Sequence, residues 1–166
     1  MTDAALFMAT ALLLPLMGYI TYSDMRWLRI PNWSVLAVFG AFLVTGIWGL
    51  PIDVFLWRCA YAVIALAVGL LIYNLAQGSV GAGDLKLIAA LAPFLSLTTL
   101  LDFILVYVVV SIIGTVFFMI MRRRNRRRGV KDPWKAFGET IYMPAGVFLG
   151  ISISIVMIMQ CTDRLL

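Results

Sequence analysis

The stretch Phe103-Ile104-Leu105-Val106-Tyr107-Val108-Val109-Val110-Ser111-Ile112-Ile113-Gly114-Thr115-Val116-Phe117-Phe118-Met119-Ile120-Met121 contains no charge. It ends on Arg122-Arg123-Arg124-Asn125-Arg126-Arg127-Arg128. A helix that crosses a bilayer needs roughly 20 apolar residues, and clustered Lys and Arg mark its cytoplasmic flank. The segment therefore reads as a membrane span whose C-terminal end faces the cytoplasm. In lipid each backbone N–H and C=O must be satisfied within its own segment, so a helix is the only open form available. The same pattern recurs along the chain at Ala4 to Ile20, Ser34 to Leu50, Phe55 to Tyr73, Leu85 to Leu101 and Ile141 to Met159. The spacing predicts an all-α, polytopic membrane protein, a bundle of six transmembrane helices forming a single membrane-embedded domain over residues 1–166. The fourth span is interrupted by Pro93 and by Ser96-Leu97-Thr98-Thr99.

Composition agrees. Hydrophobic residues make up 63% and charged residues 13%, against about 25% charged in an ordinary soluble domain. The formal charge of +5 is unevenly placed. The connection after the first span holds Arg26 and Arg29, and the one after the third holds Lys86. The one after the fifth holds Arg122, Arg123, Arg124, Arg126, Arg127, Arg128, Lys131 and Lys135, so these three loops carry eleven of the thirteen basic residues. The positive-inside rule puts them in the cytoplasm and both termini outside, in a multi-pass protein of the cytoplasmic (inner) membrane. Asp24 and Asp84 then share the cytoplasmic side, whereas Asp3, Asp53, Asp102 and Asp163 fall on the other. The basic excess reports topology, and nucleic acid is not an expected partner. With no His, no CxxC pair, and Cys59 and Cys161 in or beside apolar spans, neither a zinc site nor a Cys-His nucleophile is expected. No metal or other cofactor is expected. Met1-Thr2-Asp3 lacks the basic start of a secretory signal, so the first span is expected to be retained.

Two carboxylates at one depth carry the chemistry. From its local sequence, Asp24 either pairs with Arg26 or Arg29 as an interfacial anchor or stands ready for catalysis. Asp84 follows Gly78, Gly81 and Gly83, which allow sharp backbone turns and close approach of another chain. It either caps the fourth helix or serves as an acid. Lys86, two positions on, faces away from Asp84 on a helix. Together the acids suit peptide hydrolysis: one ionised carboxylate takes a proton from water while a protonated partner donates to the carbonyl oxygen. Like charges close enough to repel leave one acid protonated, and the pair titrates as a unit.

These residues resemble the type IV prepilin peptidases and archaeal preflagellin peptidases, the GxGD membrane aspartic proteases. The matching features are an aspartate after the first span followed by Arg26-x-x-Arg29-Ile30-Pro31-Asn32, then Gly81-x-Gly83-Asp84-x-Lys86, and a late Tyr142-Met143-Pro144-Ala145-Gly146. The resemblance implies a peptidase domain with Asp24 and Asp84 as the catalytic pair, and Gly81, Gly83 and Lys86 near the substrate. It implies as partner a prepilin or pseudopilin precursor, whose short basic leader is removed at the cytoplasmic membrane face. Larger relatives carry a cytoplasmic insertion with paired CxxC motifs and also N-methylate their product. This chain lacks it, so cleavage without zinc or methyl transfer is expected.

The arginine run reads as an anchor to anionic lipid, at about 1 kcal/mol per basic residue near the surface. Glu139 is placed to pair with Lys135. Asn74 and Gln77 suit substrate hydrogen bonding or a plain interfacial role. Two other classes compete with the peptidase: a small ion- or proton-coupled transporter using the same acids, and a non-catalytic pilus-assembly subunit.

Overall fold

The computed structural model describes residues 1–77, 80–128, 134–138 and 143–165. Gly78, Lys131, Glu139, Ile141 and Tyr142, singled out above, lie outside the described residues. The described chain is helical: α1 (Asp3–Trp27), α2 (Asn32–Gly49), α3 (Ile52–Leu75), α4 (Ala82–Leu91), α5 (Leu97–Arg128) and α6 (Ala145–Asp163), with short 3-10 turns at Ala92–Phe94 and Lys135–Phe137. The expected all-α membrane bundle is what forms.

The fourth span differs from expectation. Among the described residues five helices are long and apolar enough to cross a membrane, and α4 is not among them. It starts earlier than Leu85, at Ala82, and is only 10 residues long, about 15 Å against a hydrocarbon thickness near 30 Å. Pro93 has no N–H to continue the ladder, and Leu95 is extended (φ −93°, ψ 130°). Ser96 then opens α5: its hydroxyl accepts the Thr99 N–H at 3.3 Å and its carbonyl accepts the Leu100 N–H at 2.8 Å. So α5 begins at Leu97 rather than Phe103 and runs through the whole arginine run. Irregular backbone is tolerated at membrane depth only where protein covers it. Pro93, Phe94 and Leu95 are buried, and half-buried Arg58 of α3 donates to the Pro93 carbonyl at 3.1 Å.

The interior belongs to α1, α2, α4 and α6. Leu13, Met17 and Ile20 of α1 pack with Val38 and Phe42 of α2, Leu87 and Leu91 of α4, and Ile153 and Met157 of α6. By contrast α3 buries only Ala62 and Gly69, and α5 only Phe118, among the described residues. Leu101, Leu105, Ile112 and Ile113 are instead exposed, as suits helices that face lipid rather than a core. A second cluster of Phe118, Ala136, Val147 and Phe148 fastens α5 to α6 and the Lys135–Phe137 turn. Here Gly114 lets α5 sit against the Phe148 ring.

The helix ends sort to two faces. One face gathers the end of α1, the starts of α2, α4 and α6, and the arginine-rich end of α5. At the other, the Thr2 N–H donates to the Gly49 carbonyl at 2.9 Å and Arg164 pairs with Asp3 at 3.4 Å.

Candidate active site

Asp24 lies in the last turn of α1. That helix stops because Leu28 takes a left-handed conformation (φ 52°) and its N–H donates back to the Asp24 carbonyl at 2.9 Å. The Ser23 hydroxyl donates to the Arg29 carbonyl at 2.8 Å, folding the connection against the helix end. The Asp24 side chain thus points inward and is only 5% exposed. Its Oδ2 accepts the Val147 N–H at 3.3 Å. Val147 is in the first turn of α6, where backbone N–H groups lack helical partners and the helix end carries partial positive charge.

Among the described residues no cation pairs with this carboxylate. The Arg26 guanidinium donates to the Tyr22 hydroxyl and lies 4.9 Å over the Trp27 ring. Arg29 lines a separate cavity of about 300 Å³ with Tyr19, Trp27 and Lys135. The anchor role left open for Asp24 is therefore not taken.

Asp84 stands in the first turn of α4. Gly81 is the N-cap residue, and the cap makes no side-chain hydrogen bond, so Asp84 is not the cap. Its N–H donates to the Gly81 carbonyl at 3.1 Å. The carboxylate folds back over Gly81, where a Cβ would lie 2.5 Å from Oδ2. Glycine at 81 is thus needed for this carboxylate position. Burial pushes the Asp84 carboxyl up from 3.8 to about 6, because desolvation disfavours the charged form.

Ile30 packs between the segments that bear the two acids. A Cβ on Gly83 would lie 3.2 Å from Ile30 Cβ, and one on Gly146 would lie 2.8 Å from Ile30 Cδ1 and 2.9 Å from Asp24 Oδ2. One isoleucine therefore touches the residue before Asp84 and the glycine that walls Asp24. Two residues further, Lys86 Nζ donates to Asn32 Oδ1 at 3.2 Å. Two sequence motifs far apart in the chain meet at one end of the bundle.

Of the residues picked from sequence, Asp24, Asp84, Gly81, Gly83 and Lys86 all gather here, whereas Asn74 and Gln77 are exposed at the end of α3. Sequence reasoning missed Ile30, Asn32, Gly146 and the Val147 N–H as parts of the site. Their signal was present in the Ile30-Pro31-Asn32 and Pro144-Ala145-Gly146 stretches, which carried the resemblance but no assigned role. Chemically, a buried carboxylate with no counter-ion among the described residues, at the same end of the bundle as a half-buried second acid, is a place to hold and polarise water.

Such a bundle, with two carboxyl groups at one end and, among the described residues, five helices long and apolar enough to cross a bilayer, is that of a helical membrane protein. The model of the type IV leader peptidase family matches residues 6–119. The chain belongs to that family, and the match takes in both aspartates and every helix from α1 through most of α5. No curated protein and no solved structure matches it. Family membership makes the chain a protease acting on a protein precursor, and favours the peptidase over the transporter and scaffold alternatives.

Proposed function

We propose that this protein is an aspartic endopeptidase that removes the short basic leader of prepilin-like precursors at the cytoplasmic face of the inner membrane, with Asp24 and Asp84 as its catalytic pair. The observation that carries the reading is the burial of Asp24, facing α6 and with no cation beside it among the described residues, while Ile30 packs against the segment bearing Asp84. A structural aspartate would be paired or exposed.

The ionised acid takes a proton from water as the oxygen attacks the scissile carbonyl, and the neutral acid donates its proton to the carbonyl oxygen. The tetrahedral species then collapses. The C–N bond breaks, and a proton returns to the leaving amine. Neither acid is fixed as base, because the pair holds its proton jointly.

Topology supports the placement. The loops that bear both acids carry Lys and Arg, as does the end of α5, so the positive-inside rule sets them in the cytoplasm. Substrate access is supported by an apolar groove of about 400 Å³ between α2, α3 and α4. Ala62, Ala89 and Ala90 line its depth, and Asn32 and Lys86 stand at the end nearest the acids. The apolar helix following a leader can lie there in lipid while the scissile bond unwinds toward the carboxylates.

The test is cleavage of a synthetic precursor with a basic leader, a glycine at the cut and an apolar helix, by the purified protein in nanodiscs. Wild type should release the leader. Asp24→Asn and Asp84→Asn, each inserted and folded, should not. Cleavage by either variant at near wild-type rate refutes the pair, and ion uptake by vesicles without cleavage would restore the transporter reading.

A further inference from the structure

We infer that the Lys86–Asn32 hydrogen bond, acting with Ile30 seated between Gly83 and Gly146, is a strut that sets the separation of the two carboxyl groups, so that Lys86, Asn32 and Ile30 are positioning residues for the cleavage reaction. The inference rests on the catalytic pair proposed above and gives Lys86 a role other than contact with substrate.

The geometry is specific. Asp24 and Asp84 stand at helix ends: α1 ends in a left-handed turn at Leu28, and α4 begins at Ala82 after its N-cap Gly81. Something must fix one helix end against the other. Ile30, in the connection leaving α1, packs so close to Gly83 that a Cβ there would lie 3.2 Å from Ile30 Cβ, and its Cδ1 would lie 2.8 Å from a Cβ on Gly146. Asn32 opens α2 and receives Lys86 Nζ at 3.2 Å. So residues 30 and 32 grip residues 83 and 86, one through packing and one through a charge-assisted hydrogen bond. Gly69 of α3 against Leu85, with its Cβ position 3.2 Å away, closes the third side.

Lys86 is suited to this task rather than to holding a leader. Its ammonium is already turned to Asn32, and a basic leader would be repelled by it. Carboxylate separation matters because a 1 Å misplacement of reacting groups costs about a hundredfold in rate.

The experiment is a double-mutant cycle on the full chain in nanodiscs with the same precursor. Lys86→Met and Asn32→Leu should each lower kcat by about tenfold to a hundredfold, with KM changed by less than about twofold. The double variant should lose no more than either single one, since both remove one bond. Lys86→Arg, which keeps the donor, should stay within about threefold of wild type in kcat. Asn32→Ala replaces Asn32→Leu if the latter fails to insert. Three results overturn the strut: losses that multiply in the double variant, a KM rise at unchanged kcat, or wild-type kcat in Lys86→Met. If Asp24→Asn and Asp84→Asn are inactive while the cycle shows no coupling, the strut alone is wrong. If those two aspartate variants cleave, the catalytic pair itself is wrong.

Discussion

Gly146→Ala tests the site at its tightest point. The added Cβ would sit 2.9 Å from Asp24 Oδ2 and 2.8 Å from Ile30 Cδ1. Ordinary contact begins near 3.4 Å, so each neighbour must retreat by about half an ångström. Asp24 can retreat only away from α6. That lengthens its 3.3 Å bond to the Val147 N–H past the limit of a useful hydrogen bond. Overpacking of this kind destabilises by about 1–3 kcal/mol. A displacement of half an ångström in a reacting group predicts roughly a tenfold loss in kcat, taking a hundredfold per ångström.

The two effects separate in a second variant. Adding Ile30→Val removes Cδ1 and with it the 2.8 Å clash, but leaves the 2.9 Å clash with Asp24. Thermal stability in nanodiscs should then partly recover while kcat does not. Gly40→Ala is the control: nothing lies within 4 Å of its Cβ position, so cleavage should be unchanged and the helix slightly firmer, by about 0.5–1 kcal/mol. Steady-state cleavage and thermal melts on the four proteins decide the matter. Wild-type kcat in Gly146→Ala would refute the claim that Asp24 is held against α6 for catalysis. So would recovery of kcat with the Ile30→Val addition.

Other outcomes follow from the same geometry. Because the Asp84 carboxyl is raised from 3.8 to about 6, the folded state holds that proton more tightly than the unfolded state. Its contribution to stability is thus full below pH about 4 and is lost as pH rises through about 6; in Asp84→Asn the melting temperature should fall less across that window than in wild type. Arg58→Met removes the donor to the Pro93 carbonyl and should lower stability by about 1.5–3 kcal/mol, read by urea or thermal unfolding in detergent, without changing KM. Gly114→Ala drives a methyl group into the Phe148 ring. It should destabilise the α5–α6 contact by about 1–3 kcal/mol, and a melt indistinguishable from wild type would show that α5 packs elsewhere.

Much of this was legible in the chain. Apolar runs of bilayer length, with clustered basic residues between them, are a one-dimensional signal, because lipid demands helices and basic loops resist translocation. The same count of Lys and Arg grouped Asp24 with Asp84 and set the other four aspartates apart. The broken fourth helix was visible in part, since Pro93 and Ser96 interrupt it. How short α4 becomes was not, because Arg58, 35 residues earlier, supplies the partner that lets the break lie among packed helices.

What the sequence alone determined was the solvent, the class of secondary structure and the grouping of Asp24 with Asp84, since each depends on residue type and order. Only the tertiary structure decided how the acids are held. Asp24 finds its N–H partner 123 positions away in α6, and Lys86 finds Asn32 54 positions away. Contacts between helices depend on which faces meet and how closely. That is set by side-chain volume at Ile30, Gly83 and Gly146 in three dimensions, where spacing along the chain no longer measures distance.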